Sequence, residues 1–535
     1  MAYAELSLLN GNIYTMDPSK PRAEALAILH GRILKVGLNE EVRRFIGGKT
    51  RVIDLRGKTV LPGLIDTHAH MMGFGLSLGW VNLRDASSIR EVIKRLREVA
   101  RKTPRGRWIV GFGWDQERFE ERRFPTRWDL DEASEEHPIV IFRVCLHLCV
   151  ANSAALKLVG ILGTDAVEGV EVDPDVGEPN GILRESAVEL VRGALPQPTL
   201  KEAVDAAERA CREAAKAGLT GVHWIMGGAV EFRAVQRLRA EGRLPIRVYA
   251  ILPVDMLDPL TKLGVEGRLG DEWVKIGGVK VFVDGSLGAR TAALKEPYSD
   301  KPETSGVLLY TREELRSLAV KAHEAGLQLV IHAIGDRAVE LALDAIEHAL
   351  KAKPRPNHRH RIEHASLLSG RLVNWMRELG VVASIQPHFV VSDFWVEERV
   401  GPERARWVYP FRTLLRSGVV VSAGSDCPVE PINPFLGVWA AVHRVDNAEE
   451  ALSVEEALRL YTVNAAYASF EEELKGSLTE GKLADLVILD RDPYKVPPSE
   501  LRDVRVVATI VGGRLVYAEP SFLKDAYPST SYKSQ

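Results

Sequence analysis

Residues 60–70 read VLPGLIDTHAH, and the fold is decided by how that stretch ends. An apolar run rich in β-formers rises out of the Gly57–Lys58 turn and finishes on His68 and His70. Side chains two apart on a strand share one face, so both imidazoles point the same way. Neutral imidazoles are good ligands for borderline metals such as zinc, and two on one face make half a site. The plain alternative is a histidine pair at a strand end with nothing between. The rest of the chain must choose by supplying, or failing to supply, the other half.

At 535 residues the chain is too long for one simple core. Hydrophobic residues at 46% and charged residues at 27% are ordinary for a globular protein. A formal net charge of −3 gives no basic surface for nucleic acid or an anionic membrane. The start, MAYAELSLLNGNIYTMD, lacks a basic n-region and an apolar core, and the greasiest stretch, Pro138–Val150, is broken by Arg143 and His147. Cysteines stand at 145, 149, 211 and 427 without a CxxC pair, which suits a reducing compartment and buried thiols better than a disulfide framework. A cytoplasmic location is therefore expected, with a small-molecule substrate as partner; self-association as a homo-oligomer is compatible with the sequence.

Short β-type runs occupy residues 1–58: Leu6–Leu9, Ala25–Leu29, Arg32–Val36 and Arg51–Asp54. Residues 476–535 answer with Leu486–Leu489, Val504–Val511 and Arg514–Tyr517, the last two joined by Gly512–Gly513. The two ends together predict one small β-sandwich domain. Between them, residues 59–475 alternate strands and helices, which argues for parallel βα units. Helix Ser87–Lys102 follows the first strand, and an irregular segment at about 104–200 reads as an insertion. Regularity then resumes with helix Leu200–Ala217, opened by the Thr199/Glu202 capping box. Further capping boxes are Thr311/Glu314 and Ser453/Glu456.

Strands are expected at Leu219–His223, Ile246–Leu252, Gly278–Asp284, Leu327–His332, Arg361–His364, Val381–Gln386 and Val419–Ser425. With Val60–Asp66 they number eight, so the fold class is α/β, a TIM-like (β/α)8 barrel with an insertion plus the terminal β domain.

In such barrels catalysis sits at the C-terminal strand ends. His68 and His70 finish strand one, His332 strand five, His364 strand six and Asp426 strand eight. In strand four, Val279, Val281 and Val283 alternate with Lys280, Phe282 and Asp284, so Lys280 and Asp284 face the lumen. Each residue alone has an ordinary reading: a hydrogen-bonded core histidine, or a loop-capping aspartate. A buried lysine is harder to dismiss, because an unpaired ammonium there is costly. Jointly they predict a metal site. A second HxH, His358–Arg359–His360, lies at the N-terminal entry of its strand and reads as structural.

The segments LPGLIDTHAH, VKVFVDGSLGARTAAL, IHAIGDRAV, RIEHAS, AGSDCPV and KLADLVILDRDP resemble the amidohydrolase superfamily, in the branch that includes N-substituted formamide deformylases. The resemblance implies two divalent ions, with zinc expected. His68, His70 and Asp426 would hold one, and His332 and His364 the other. Lys280, carboxylated by CO2, would bridge them; without that modification a one-metal site is favoured. It also implies a metal-activated water with Asp426 as the catalytic proton carrier.

Substrate contacts are expected from His147, His223, Arg290 and Gln386, each with an ordinary hydrogen-bonding role as the alternative; His388 lies just beyond Gln386. His147 departs from the branch pattern, because Leu146 precedes it where a glycine is usual. Asp336 reads as a helix N-cap. Two long loops, Gly285–Tyr310 and Phe389–Phe411, are expected to cover the site, and their aromatics suit a partly apolar substrate. Trp108, Trp114, Phe119, Phe124 and Trp128 read either as further cover or as the insertion's own core.

The expected reaction is hydrolysis of an amide-type, non-peptide C–N bond in a small N-acyl or N-formyl compound. Ester, lactone or cyclic ureide hydrolysis on the same centre is the alternative, as is a non-catalytic regulatory or binding protein on this scaffold.

Overall fold

Eight strands pair in parallel, in sequence order, to make the central sheet of the computed structural model. They are β1 (Leu64–Ala69), β2 (Leu219–Ile225), β3 (Arg247–Pro253), β4 (Val274–Phe282), β5 (Gln328–Ala333), β6 (Arg361–His364), β7 (Val382–Ile385) and β8 (Val421–Ala423). The last strand returns to the first: Asp426 N–H donates to the His68 carbonyl (2.7 Å), and His70 N–H to that of Cys427 (2.8 Å). The sheet is thus a nearly closed barrel, drawn together at the residues that were expected to carry chemistry. The structure describes residues 2–526 apart from 144–147, 163–166, 168, 185 and 445.

The opening stretch is divided between two sheets. Thr59–Pro62 pairs with Leu486–Leu489 in the terminal β domain, and the chain enters β1 only after Gly63. A Cβ at Gly63 would lie 2.2 Å from Thr220 Oγ1, so the crossing point has no room for a side chain. The β domain contains a four-stranded sheet (Arg32–Gly37, Ala25–Leu29, Leu6–Leu9, Arg51–Asp54) and a six-stranded one. Leu8, Ile13 and Ile28 from one end of the chain share a core with Leu486, Ile488 and Ile510 from the other. Gly512 and Gly513 have φ of 54° and 73°, the left-handed pair a two-residue hairpin turn demands. A buried bidentate pair, Arg247 on β3 with Asp485 (2.6 and 2.9 Å), ties the barrel to this domain.

All three capping boxes form, at the heads of helices Leu200–Lys216, Arg312–Glu324 and Val454–Leu460. Asp336 is the first helical residue rather than the cap, which is Gly335; its carboxylate accepts the Lys295 N–H (2.9 Å).

A second compact unit runs from Leu76 to Glu202. It has its own six-stranded sheet, and helix Ile89–Ala100 belongs to it. That helix buries Ile89, Val92, Ile93 and Leu96 against Ile109, Trp114, Phe119 and Ile139. The helix expected to follow β1 in the barrel therefore serves the inserted sheet, because its apolar stripe has partners there. Trp114 and Phe119 are core residues of the unit, while Trp128 is partly exposed. Among the described residues no helix is long and apolar enough to cross a membrane. Cys149, Cys211 and Cys427 are buried free thiols whose pKa burial pushes up; Cys145 lies outside the described residues.

Candidate metal centre

Four imidazoles converge at the C-terminal end of the barrel. Ring centroids of His68 and His70 are 5.6 Å apart, those of His68 and His364 5.0 Å, and those of His332 and His364 4.4 Å. Strand alternation alone does not produce this cluster. On β6 Arg361 and Glu363 face the lumen, so His364 should face outward. Its φ of +70°, followed by +47° at Ala365, turns the chain and brings its ring inward too. Asp426 is likewise left-handed at +57°. Such conformations cost roughly 1–2 kcal/mol each in non-glycine residues, and such strain collects where side chains must be aimed.

The donor atoms of His68, His70 and Asp426 all lie within 4.8 Å of one another, a span that one ion can bridge. Nε2 of His68 and of His70 stand 3.4 and 3.2 Å from Asp426 Oδ1. Lys280 Nζ is 3.2 Å from His68 Nε2 and buried. His332 donates Nε2–H to the Gly285 carbonyl (3.0 Å), which leaves Nδ1 to carry the lone pair. His364 Nδ1 is buried without a hydrogen-bond partner, an orphan that metal ligation would satisfy.

Electrostatics favour the metal-binding forms. Burial first, then the neighbouring Lys280, holds His68 well below the ordinary imidazole value and His332 down to about 4. Burial, with His332 and His68 alongside, does the same for His364. All three are therefore neutral near pH 7. Burial pushes Asp426 up, but His68 and His70 outweigh it and hold the carboxyl below its usual range. Burial lowers Lys280 to about 8 against the opposing pull of Glu363 and Asp426. This donor set of neutral imidazoles, a carboxylate and a partly neutral amine fits divalent metal.

Beneath the candidate ligands lies a buried polar layer in which Arg361 and Glu363 are the charged pair. His68 Nδ1–H donates to Glu363, whose other oxygen accepts from Arg361 Nε (2.7 Å). Arg361 continues to the Thr67 carbonyl (2.6 Å) and His223 Nδ1 (2.8 Å). A carboxylate behind a ligating histidine fixes its tautomer and raises its basicity. The alternation Arg361–Ile362–Glu363 was the available signal: two charges on the inner face of a central strand need each other. Asp66, pushed up to about 7 by burial, accepts the His68 and Ser425 N–H groups (2.9 and 3.1 Å) and joins β1 to the loop after β8.

The expected substrate contacts fare differently. His147 lies outside the described residues. His223 does not rim the pocket: β2 continues to Ile225, so its ring is wholly buried in the layer below the candidate ligands. Arg290 turns its Nε and Nη2 to Asp300 (Nη2 at 2.6 Å) rather than presenting that edge to the candidate metal centre. Asp300 also holds Arg399, and Arg404 donates to the Glu296 and Pro297 carbonyls (2.9 and 2.7 Å). The loops after β4 and β7 are thus fastened to each other. Gln386 is buried just past β7, donating to the Ser384 carbonyl (3.1 Å) with Oε1 unpartnered. Asp284 accepts the N–H groups of Ala293, Ile334 and Gly335, anchoring loops at the barrel rim. At the opposite end of β6, His358 and His360 are consumed in hydrogen bonds to the Leu379 carbonyl (2.7 Å) and to His323 (2.8 Å), as a structural role requires.

A barrel that gathers histidines, an aspartate and a buried lysine at its strand ends has the architecture of a metal-dependent hydrolase. A crystal structure of an uncharacterized metal-dependent hydrolase from Pyrococcus furiosus superposes with a TM-score of 0.79 at 38% identity, covering 92% of this chain and all of that one. The Amidohydrolase family model matches residues 51–517, and the chain belongs to that family. The Protein LONG AFTER FAR-RED 3 of Arabidopsis thaliana is 36% identical over 537 residues, 96% of this chain and 92% of the relative. The N-substituted formamide deformylase of Arthrobacter pascens is 31% identical over 539 residues, 96% and 98% of the two chains.

Proposed function

We propose that this metal-dependent hydrolase cleaves an amide-type C–N bond in a small N-acyl or N-formyl compound. The observation that carries the reading is the convergence of His68, His70 and Asp426 within ligating distance, beside a buried lysine poised to lose its proton. The full-length likeness to a formamide deformylase supports the bond type.

His68, His70 and Asp426 would hold one divalent ion and His332 with His364 a second, zinc being the expected metal. The neutral fraction of Lys280 is the nucleophile that CO2 needs, and the resulting carbamate would offer an oxygen to each side. Metal bound in this way lowers the pKa of water and polarises a carbonyl. Asp426 holds the proton removed from water on a carboxylate oxygen and returns it to the leaving nitrogen. Glu363 keeps His68 in the tautomer whose Nε2 lone pair faces Asp426 and Lys280. The fastened loops after β4 and β7 would exclude bulk water.

A panel of amides, formamides, esters and lactones, assayed with zinc-loaded protein, tests this reading. Formamide or amide turnover that disappears in Asp426→Asn while metal content persists supports it. Ester or lactone turnover alone replaces the bond assignment. A metal-replete protein that turns over nothing points to a regulatory or binding role, the alternative for which the Arabidopsis relative, whose name states no reaction, leaves room.

A further inference from the structure

Phe282 ends β4 two residues beyond Lys280, on the same inward face, and its neighbours Val281 and Val283 are fully buried. Phe282 itself is 45% exposed. Its ring centroid lies 4.8 Å from Lys280 Nζ and 5.3 Å from the His332 ring. Across the histidines, the half-buried ring of Phe389 is inclined by 29° to that of His364, with centroids 6.2 Å apart. The packed barrel thus leaves an exposed aromatic face beside its candidate ligands.

We infer that Phe282, with Phe389, forms the apolar wall that selects the substrate, and that the preferred compounds carry an aromatic or bulky aliphatic substituent one or two bonds from the scissile group. This deepens the hydrolytic reading of the same site and rests on it. An exposed ring loses its hydration only when a ligand covers it, so its contribution appears as selectivity between large and small substituents. Aromatic partners add offset or edge contacts that an aliphatic side chain cannot replace.

The test compares benzyl with methyl members of two linkages: N-benzylformamide against N-methylformamide, and benzyl acetate against methyl acetate. The readout is the benzyl-to-methyl ratio of kcat/KM for the native protein, F282A, F282L and F389A, with zinc content and Tm measured on each. The expected result is a ratio favouring benzyl that falls at least about tenfold in F282A and less in F282L, at equal metal content. A ratio that F282A and F389A leave untouched overturns the wall while leaving the hydrolytic reading intact. Turnover of the esters alone overturns the C–N assignment, and the ester ratio then decides the wall. Turnover of neither linkage overturns both.

Discussion

Lys280 Nζ stands 3.2 Å from Nε2 of His68, both buried at the end of the barrel. Two such groups approach this closely only when they are not both charged. Burial supplies that condition by keeping His68 neutral and lowering Lys280 to about 8. Protein prepared with 13C-bicarbonate is expected to show a carbamate carbon resonance that is absent in Lys280→Ala. A native spectrum without it, in metal-loaded protein, would leave Lys280 as a cation and favour a single ion.

Glu363 is predicted to act on metal affinity through His68. In Glu363→Gln the hydrogen bond to Nδ1–H can persist, but the charge behind it is gone. Metal binding should weaken by about 10- to 100-fold, as measured by competition with a chelator. Because Arg361 then loses its buried counter-charge, Tm should also fall. Unchanged affinity alongside a lower Tm would make Glu363 purely structural.

Asp300 holds Arg290 and Arg399 from two different loops. Asp300→Ala is expected to release both, so that trypsin cuts after Arg290 or Arg399 faster than in the native protein. Global stability should change by only about 1 kcal/mol, since the pairs are partly solvated. Equal cleavage rates would mean that backbone contacts alone hold the loops.

Glu471 gives a pH prediction away from the metal site. Burial pushes its pKa up, but Lys475 and Lys275 (2.6 and 2.9 Å) overcome this and hold it at about 2 instead of 4.5. A depressed carboxyl contributes stability above its unfolded value that is lost as pH falls through the folded one. The share is about 3 kcal/mol. The stability gap between native protein and Glu471→Gln, from urea titrations, should be constant from pH 7 to about 5 and narrow below 4.5. A gap independent of pH would contradict the pairing.

The candidate ligands were legible because they stand at or near the ends of strand-type runs, and strand ends in a barrel share one rim. What the sequence concealed depends on contacts between distant segments. Strand alternation would send His364 outward, and only its left-handed backbone reverses this. Arg290 finds Asp300 within its loop, a pairing that no spacing rule announces. His223 sits lower than expected because β2 runs two residues further than its apolar pattern suggests. Helix Ile89–Ala100 has a clear amphipathic stripe, but a stripe does not say which sheet will cover it.

The central claim is that residues scattered from position 68 to 426 hold a pair of ions. Anomalous diffraction from zinc-loaded crystals tests it most directly. The expected result is two peaks, one among His68, His70 and Asp426 and one beside His332 and His364, bridged by density on Lys280 Nζ. Peaks elsewhere, or none at these side chains, would contradict it.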